Sequence, residues 1–178
     1  MQLLLGISEP GGNFSASEHN LGPQILANPS AEAAVSALAQ AFIERKDAAA
    51  VPDLVRAAQI RFLGIGVGSE ASCMLNPKVY YTTNSRTLWM HFAHIWDVEK
   101  ASTLLDGARD GDSTSELAYK NWSEYHGWVG ETMRKLGRYN IRSSIRGSLQ
   151  PFLWADAIAT KTYSVHHPAK RKISFRRG

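Results

Sequence analysis

Residues 85–99, SRTLWMHFAHIWDVE, decide the fold class. Leu88, Phe92, Ile95 and Trp96 recur at the i, i+4, i+7, i+8 spacing of a single helical face, and Glu99 continues the period. A strand would need strict alternation, which this stretch lacks. The spacing predicts a long helix starting at Ser85. On either side the same period returns. Val35, Leu38, Ala39, Phe42 and Ile43 share a face of a helix predicted over about 31–46, with Ser30 as its cap and Glu32 in its first turn. Pro52 opens a second helix running to about Ile60. Ala118, Trp122, Tyr125 and Val129 mark another, capped by Thr114 or Ser115 after a DGARDGDST loop, and Pro151 suits the first turn of a last helix over 151–160.

The expected class is therefore all-α. Residues 1–29, rich in Gly, Pro, Asn and Ser with little periodicity, read as an extended N-terminal arm. Residues 30–160 form the helical core and residues 161–178 a basic C-terminal arm. RFLGIGVGSEASC (61–73) fits either a short strand or a helix end followed by a turn.

The 178 residues suffice to bury one core, and 44% apolar with 20% charged residues is ordinary for a globular chain. No apolar run approaches the roughly 20 residues of a membrane span. MQLLLGISEPGG lacks the basic n-region of a secretory signal. Cys73 is the single cysteine, so an internal disulfide is excluded and a reducing compartment is expected.

Charge is distributed unevenly. Residues 1–133 carry 9 Lys/Arg against 15 Asp/Glu, a balance of −6; residues 134–178 carry 11 against one, a balance of +10. Within the basic part, Arg134, Arg138, Arg142 and Arg146 stand four apart, and no carboxylate lies between Glu131 and Asp156. On one helix that step advances about 400°, so the row would form a single stripe of repelling charges. Gly137 threatens the continuity of such a helix. A stripe without acids, followed by PAKRKISFRRG, points to a polyanion partner, nucleic acid before membrane.

Other constellations carry less. Gly64, Gly66 and Gly68 resemble a nucleotide loop, but Ser69 stands where the third glycine of the fingerprint belongs. His91, His94 and Asp97 share a helical arc and could hold a divalent metal with His126 as a fourth ligand, although histidines among Trp89, Phe92 and Trp96 suit a core or interface equally. Cys73 with His91 or His126 would supply a thiol and a base, with nothing to fix their geometry. His166 and His167 add polarity to the basic tail. No enzyme motif survives, and neither cofactor nor metal is expected.

Three stretches, in order, resemble the coat proteins of flexible filamentous plant viruses, the potyvirus-like and potexvirus-like groups. Arg86-Thr-Leu-Trp-Met-His91-Phe92-Ala93 is similar to their R-x-[IL]-x-x-H-F-[SA] stretch. Arg138-Tyr139-Asn140-Ile141 with Ser148-Leu149, Phe152 and Asp156 resembles RYGL…SLxxYxxD, with a one-residue shift at the aspartate. Gly68-Ser-Glu-Ala-Ser72, within 56–73, resembles a GSSAS-like helix end. The stretches touch about 50 residues. The chain departs from the pattern in the longer spacing between His91 and Arg138 and in having only 22 residues after Asp156.

The resemblance implies a helical core with two arms, polymerisation of identical subunits into a helical filament, and encapsidation of single-stranded RNA, in the virion and the host cytoplasm. It also implies RNA contacts at Ser69 or Ser72, Arg86 and Asp156. Phosphate would then be the missing partner of Arg134, Arg138, Arg142 and Arg146. The aspartate would orient Arg86 or accept from a ribose hydroxyl, and an Arg86–Asp156 ion pair would also satisfy both. The alternative is a small nucleic-acid-binding protein that never polymerises.

Overall fold

A computed structural model describes residues 1–7, 12–109, 116–139 and 150–167. These form nine α-helices: α1 (Phe14–Glu18), α2 (Leu21–Leu26), α3 (Ala31–Arg45), α4 (Val51–Ala58), α5 (Ile65–Leu75), α6 (Ser85–Ile95), α7 (Val98–Arg109), α8 (Glu116–Gly137) and α9 (Pro151–His166). No strand occurs among the described residues, so the expected all-α class holds. Nor is any of these helices long and apolar enough to cross a membrane.

The helix at Ser85 begins where the period places it. Asn84 accepts from the backbone N–H groups of Arg86 and Thr87, while the Thr87 hydroxyl accepts from the Asn84 N–H, a reciprocal cap. Leu88 and Trp89 on its inner face are fully buried. The helix stops at Ile95, short of Glu99, because the Asp97 carboxylate accepts from the Lys100 N–H and starts α7 instead. Trp96, expected on the buried face, is consequently 64% exposed at the corner.

The 61–73 stretch resolves as helix. Gly68 lies against α4 so closely that a Cβ there would sit 2.3 Å from a Val55 methyl. Tight α4–α5 packing thus overrides the low helix propensity of the glycines. On α3, Val35, Leu38 and Phe42 are buried as expected, whereas Ile43 is exposed, and Ser30 hydrogen-bonds Asn28 rather than capping the helix.

Two boundaries move. Residues 12–29 do not extend as an arm: they contain α1 and α2, with Ala16 and Ile25 buried in the core. The physical reason is a polar socket on α5. The Asn13 amide donates to the Val67 carbonyl at 2.8 Å, and the Glu70 carboxylate accepts from the N–H groups of Phe14 and Ser15 and from the Ser15 hydroxyl. At the other end, α9 continues six residues beyond Thr160, so Lys161 to His166 belong to the helical body; residues 168–178 lie outside the described residues.

The arginine row is not one helical stripe. α8 ends at Gly137, where a Cβ would meet the Pro151 carbonyl at 2.8 Å, and Arg138 follows in the turn. Arg134, with Lys135, occupies the last turn of α8, where cations complement the helix dipole. Arg142 and Arg146 lie outside the described residues, as do Ile141, Ser148, Leu149 and residues 110–115; of the expected DGARDGDST loop, Asp106 to Arg109 are instead the end of α7.

Candidate functional site

Arg86 stands in the first turn of α6, and Asp156 is placed opposite it by the second turn of α9. Between them a cleft of about 540 Å³ opens, walled also by α1 and α5. That volume suits a small ligand or one unit of a polymer. Arg86 is 8% exposed and α5 contributes Glu70, 7% exposed, to the same wall. The guanidinium Nη2 lies 3.6 Å from Glu70 Oε2 and Nη1 lies 3.4 Å from Glu18 Oε2, so Arg86 pairs with these two acids instead of with Asp156. The Phe14 ring covers the guanidinium, its centroid 4.4 Å from Cζ.

Two buried polar atoms here have no hydrogen-bond partner among the described residues: Arg86 Nε and Asp156 Oδ1. An unmet donor and an unmet acceptor in walls of the same cleft are costly unless a ligand answers them. Burial, reinforced by the Glu70 charge and opposed by Arg86, pushes the Asp156 carboxyl up to about 6 from 3.8. Asp156 is thus an acid that titrates near pH 6 in the wall of this cleft.

The two serines are placed elsewhere. Ser69 is fully buried; its Oγ accepts from the Thr83 N–H at 2.8 Å and lies 3.3 Å from the carbonyls of Gly66 and Thr83. Ser72, equally buried, donates back to the Ser69 carbonyl at 2.8 Å. Both hydroxyls are spent within the fold, tying α5 to the segment ahead of α6, and neither residue lines the cleft. Arg134 is exposed, with its guanidinium carbon 6.0 Å from the centroid of the Tyr81 ring, outside the cleft lining. Arg138 is exposed beyond the α8 terminus. Of the expected contact residues, the fold brings Arg86 and Asp156 together.

Residues that pattern reading passed over complete the site. Glu70 is a lone acid in the small-residue run 64–73, and a charge inside such a run signals a buried pair. On α9, Leu153, Asp156, Ala157, Thr160, Lys161 and Ser164 follow three- and four-residue steps and face the cleft. The period was legible from Asp156 onward. Phe14 and Glu18 were not, because they reach Arg86 only through the folding of α1.

The metal arc does not assemble. The described residues contain no group of three or more His, Cys, Asp or Glu placed to hold an ion. Asp97 caps α7, His91 is hydrogen-bonded to the Thr132 hydroxyl at 3.0 Å and stacked on Trp128, and His126 is enclosed between the Thr83 hydroxyl and the Ala48 carbonyl. Cys73 lines the cleft, yet burial, then the Asp156 and Glu70 charges, push its thiol up to about 12 against opposing hydrogen bonds from Thr82. A thiolate is the reactive form, so Cys73 is a poor nucleophile here. Native protein is expected to resist iodoacetamide at pH 8 while denatured protein labels within minutes; equal rates, read by intact mass, would refute the buried thiol.

Comparisons of the chain with protein-family models, with curated proteins and with solved structures give no match.

Proposed function

We propose that this chain is a coat-type protein that binds single-stranded RNA through charge and shape, without base readout, and polymerises with identical subunits into a flexible helical filament. The observation that carries the reading is the cleft lined by both Arg86 and Asp156, whose Nε and Oδ1 atoms are each buried and without a hydrogen-bond partner among the described residues. An arginine accepts phosphate as a planar fork, and a carboxyl beside it can accept from a ribose hydroxyl. The +10 balance of residues 134–178, including Arg134, Arg138, Arg142 and Arg146, supports a polyanion partner by long-range attraction. The motif resemblance supplies the filament.

A second reading keeps the RNA and drops the polymer. The packing of residues 12–29 on their own core favours it, since that segment is not left free to dock on a neighbour. Negative-stain microscopy and light scattering of the purified protein with RNA separate the two: flexuous rods support the filament, small uniform complexes the non-polymerising binder.

The RNA contact itself is tested by fluorescence anisotropy with labelled oligouridylate over a salt titration. Arg86→Gln is expected to weaken binding about tenfold and to shrink the log–log salt slope by about 0.7, the value of one single-strand phosphate. Unchanged affinity and slope in a folded variant would remove Arg86 from the interface.

A further inference from the structure

Arg86 is held by three groups, and the three differ in permanence. Glu70 is buried and committed: the same carboxylate accepts from two backbone N–H groups of α1 and from the Ser15 hydroxyl, so it cannot leave without unfolding α1. Phe14 supplies a ring face, which orients the guanidinium without consuming a donor. Glu18 is different. Its side chain is 51% exposed, and its carboxylate oxygen touches Arg86 Nη1 at 3.4 Å, at the long end of hydrogen-bond range. It is also the last residue of α1, where a helix terminus offers a carboxylate no dipole support. A side-chain rotation into water would release it and leave the backbone of α1 in place.

We propose that Glu18 is a displaceable latch, a carboxylate that occupies the phosphate position on Arg86 until the backbone phosphate of a single-stranded RNA replaces it. This rests on the RNA reading given above. Phosphate and carboxylate present the same chemistry to Nη1, an anionic oxygen accepting from a guanidinium N–H, so the exchange keeps Nη1 satisfied. Glu70 and Phe14 hold the fork still while the partner changes. The latch keeps Nη1 of Arg86 occupied in the free chain, and it sets a threshold: an isolated small anion gains little by displacing Glu18, whereas a polymer adds the attraction of the basic C-terminal quarter.

An exposed ion pair of this kind shifts an equilibrium by about fivefold or less, which bounds the effect. Glu18→Gln is expected to tighten oligouridylate binding by about threefold to fivefold in anisotropy at low salt. Glu32→Gln, which removes an exposed acid from α3, should move it by less than about half as much, since only general electrostatics changes. Glu18→Asp keeps the net charge but falls a methylene short of Arg86, and it should share most of the gain. In the Arg86→Gln background, Glu18→Gln should give no more than Glu32→Gln does.

Equal effects of Glu18→Gln and Glu32→Gln, or a gain that survives without Arg86, would overturn the latch while leaving the RNA reading intact. Failure of wild type and all variants to bind oligouridylate would overturn both. Because Glu18 is half exposed, these variants are expected to unfold within a degree or two of wild type, which a thermal melt checks.

Discussion

Glu70→Ala is expected to lower stability by about 3–5 kcal/mol, the largest loss among single substitutions at the cleft. Glu70 does three things at once. It caps the N-terminus of α1 through Phe14 and Ser15, accepts from the Ser15 hydroxyl at 2.6 Å, and neutralises Arg86 at 3.6 Å. Truncation leaves Arg86, 8% exposed, with the exposed Glu18 as its remaining close ion-pair partner among the described residues and orphans the first N–H groups of α1. A cap alone contributes about 1 kcal/mol, and removal of one partner from a buried pair adds several more. Glu70→Gln keeps an acceptor for α1 and removes only the charge, so it should lose less. Urea denaturation followed by far-UV dichroism reads both. A loss below about 1 kcal/mol for the alanine variant would mean that α1 and Arg86 do not depend on this carboxylate.

Asp156→Asn is expected to change the shape of the pH–stability curve, not only its height. His126 is 2% exposed; Nε2 donates to the Ala48 carbonyl at 2.8 Å, which leaves Nδ1 to accept from the Thr83 hydroxyl at 2.7 Å. Burial holds its pKa down at about 4, against 6.5 in an open chain, with the Ala48 hydrogen bond opposing. As pH falls from 6.5 towards 4, the unfolded chain takes up this proton and the folded chain does not, so stability drops by roughly 3 kcal/mol. His91, also held down by burial, acts in the same direction.

Asp156 has the opposite sign. Its carboxyl, raised to about 6 from 3.8, is protonated in the folded chain before the unfolded one, so stability is gained as pH falls across that window and lost as pH rises through 6. That limb also amounts to roughly 3 kcal/mol. In wild type the two limbs oppose each other and the curve between pH 7 and 4 stays shallow. Asn cannot titrate, so the variant should be the more stable protein at pH 7 and should then fall by about 3 kcal/mol on acidification. Parallel curves for the two proteins, measured by urea titration at stepped pH, would show that the Asp156 carboxyl is not desolvated. The same titration bears on function: a phosphate entering beside Asp156 raises its proton affinity further, so RNA binding should draw in a proton near pH 6.

How much of this was legible in the residues depends on the range of the force involved. The helices at 31–45, 51–58 and 85–95 and the start of the one at 151 were signalled by period and by terminal residues such as Pro52 and Pro151, which act over a turn or two. The run of the last helix to His166 was not. Break points were harder. The end of α6 depends on Asp97 preferring a backbone N–H to the helix it would have continued, a contest between two local options of similar energy. The helical form of 65–75 could not be read from GIGVG, because what stabilises it is the approach of Val55 to Gly68 across the α4–α5 contact.

The candidate site divides in the same way. Arg86 and Asp156 were marked by motif and by charge, and Asp156 as the single acid of a basic quarter. Read from the sequence, Arg86 pairs with Asp156, because Glu18 and Glu70 lie far from it in the chain and no motif links them. Packing selects Glu18 and Glu70 and leaves Asp156 with an unmet oxygen. Ser69 and Ser72 carry the right chemistry for a phosphate contact, yet helix rotation turns both into the interior.

By itself, then, the sequence determined the all-α class, the position of most helices and the separation of charge between the two parts of the chain. Those properties are sums over near neighbours in the chain, so they can be read locally. The break of the arginine row at Gly137 was already signalled by the glycine, whereas tertiary structure alone decided that residues 12–29 fold back as α1 and α2 and that Glu70 serves both α1 and Arg86. Each of these turns on which of several equivalent hydrogen-bonding or ion-pairing partners comes within reach, and reach is set by the packing of helices far apart in the chain.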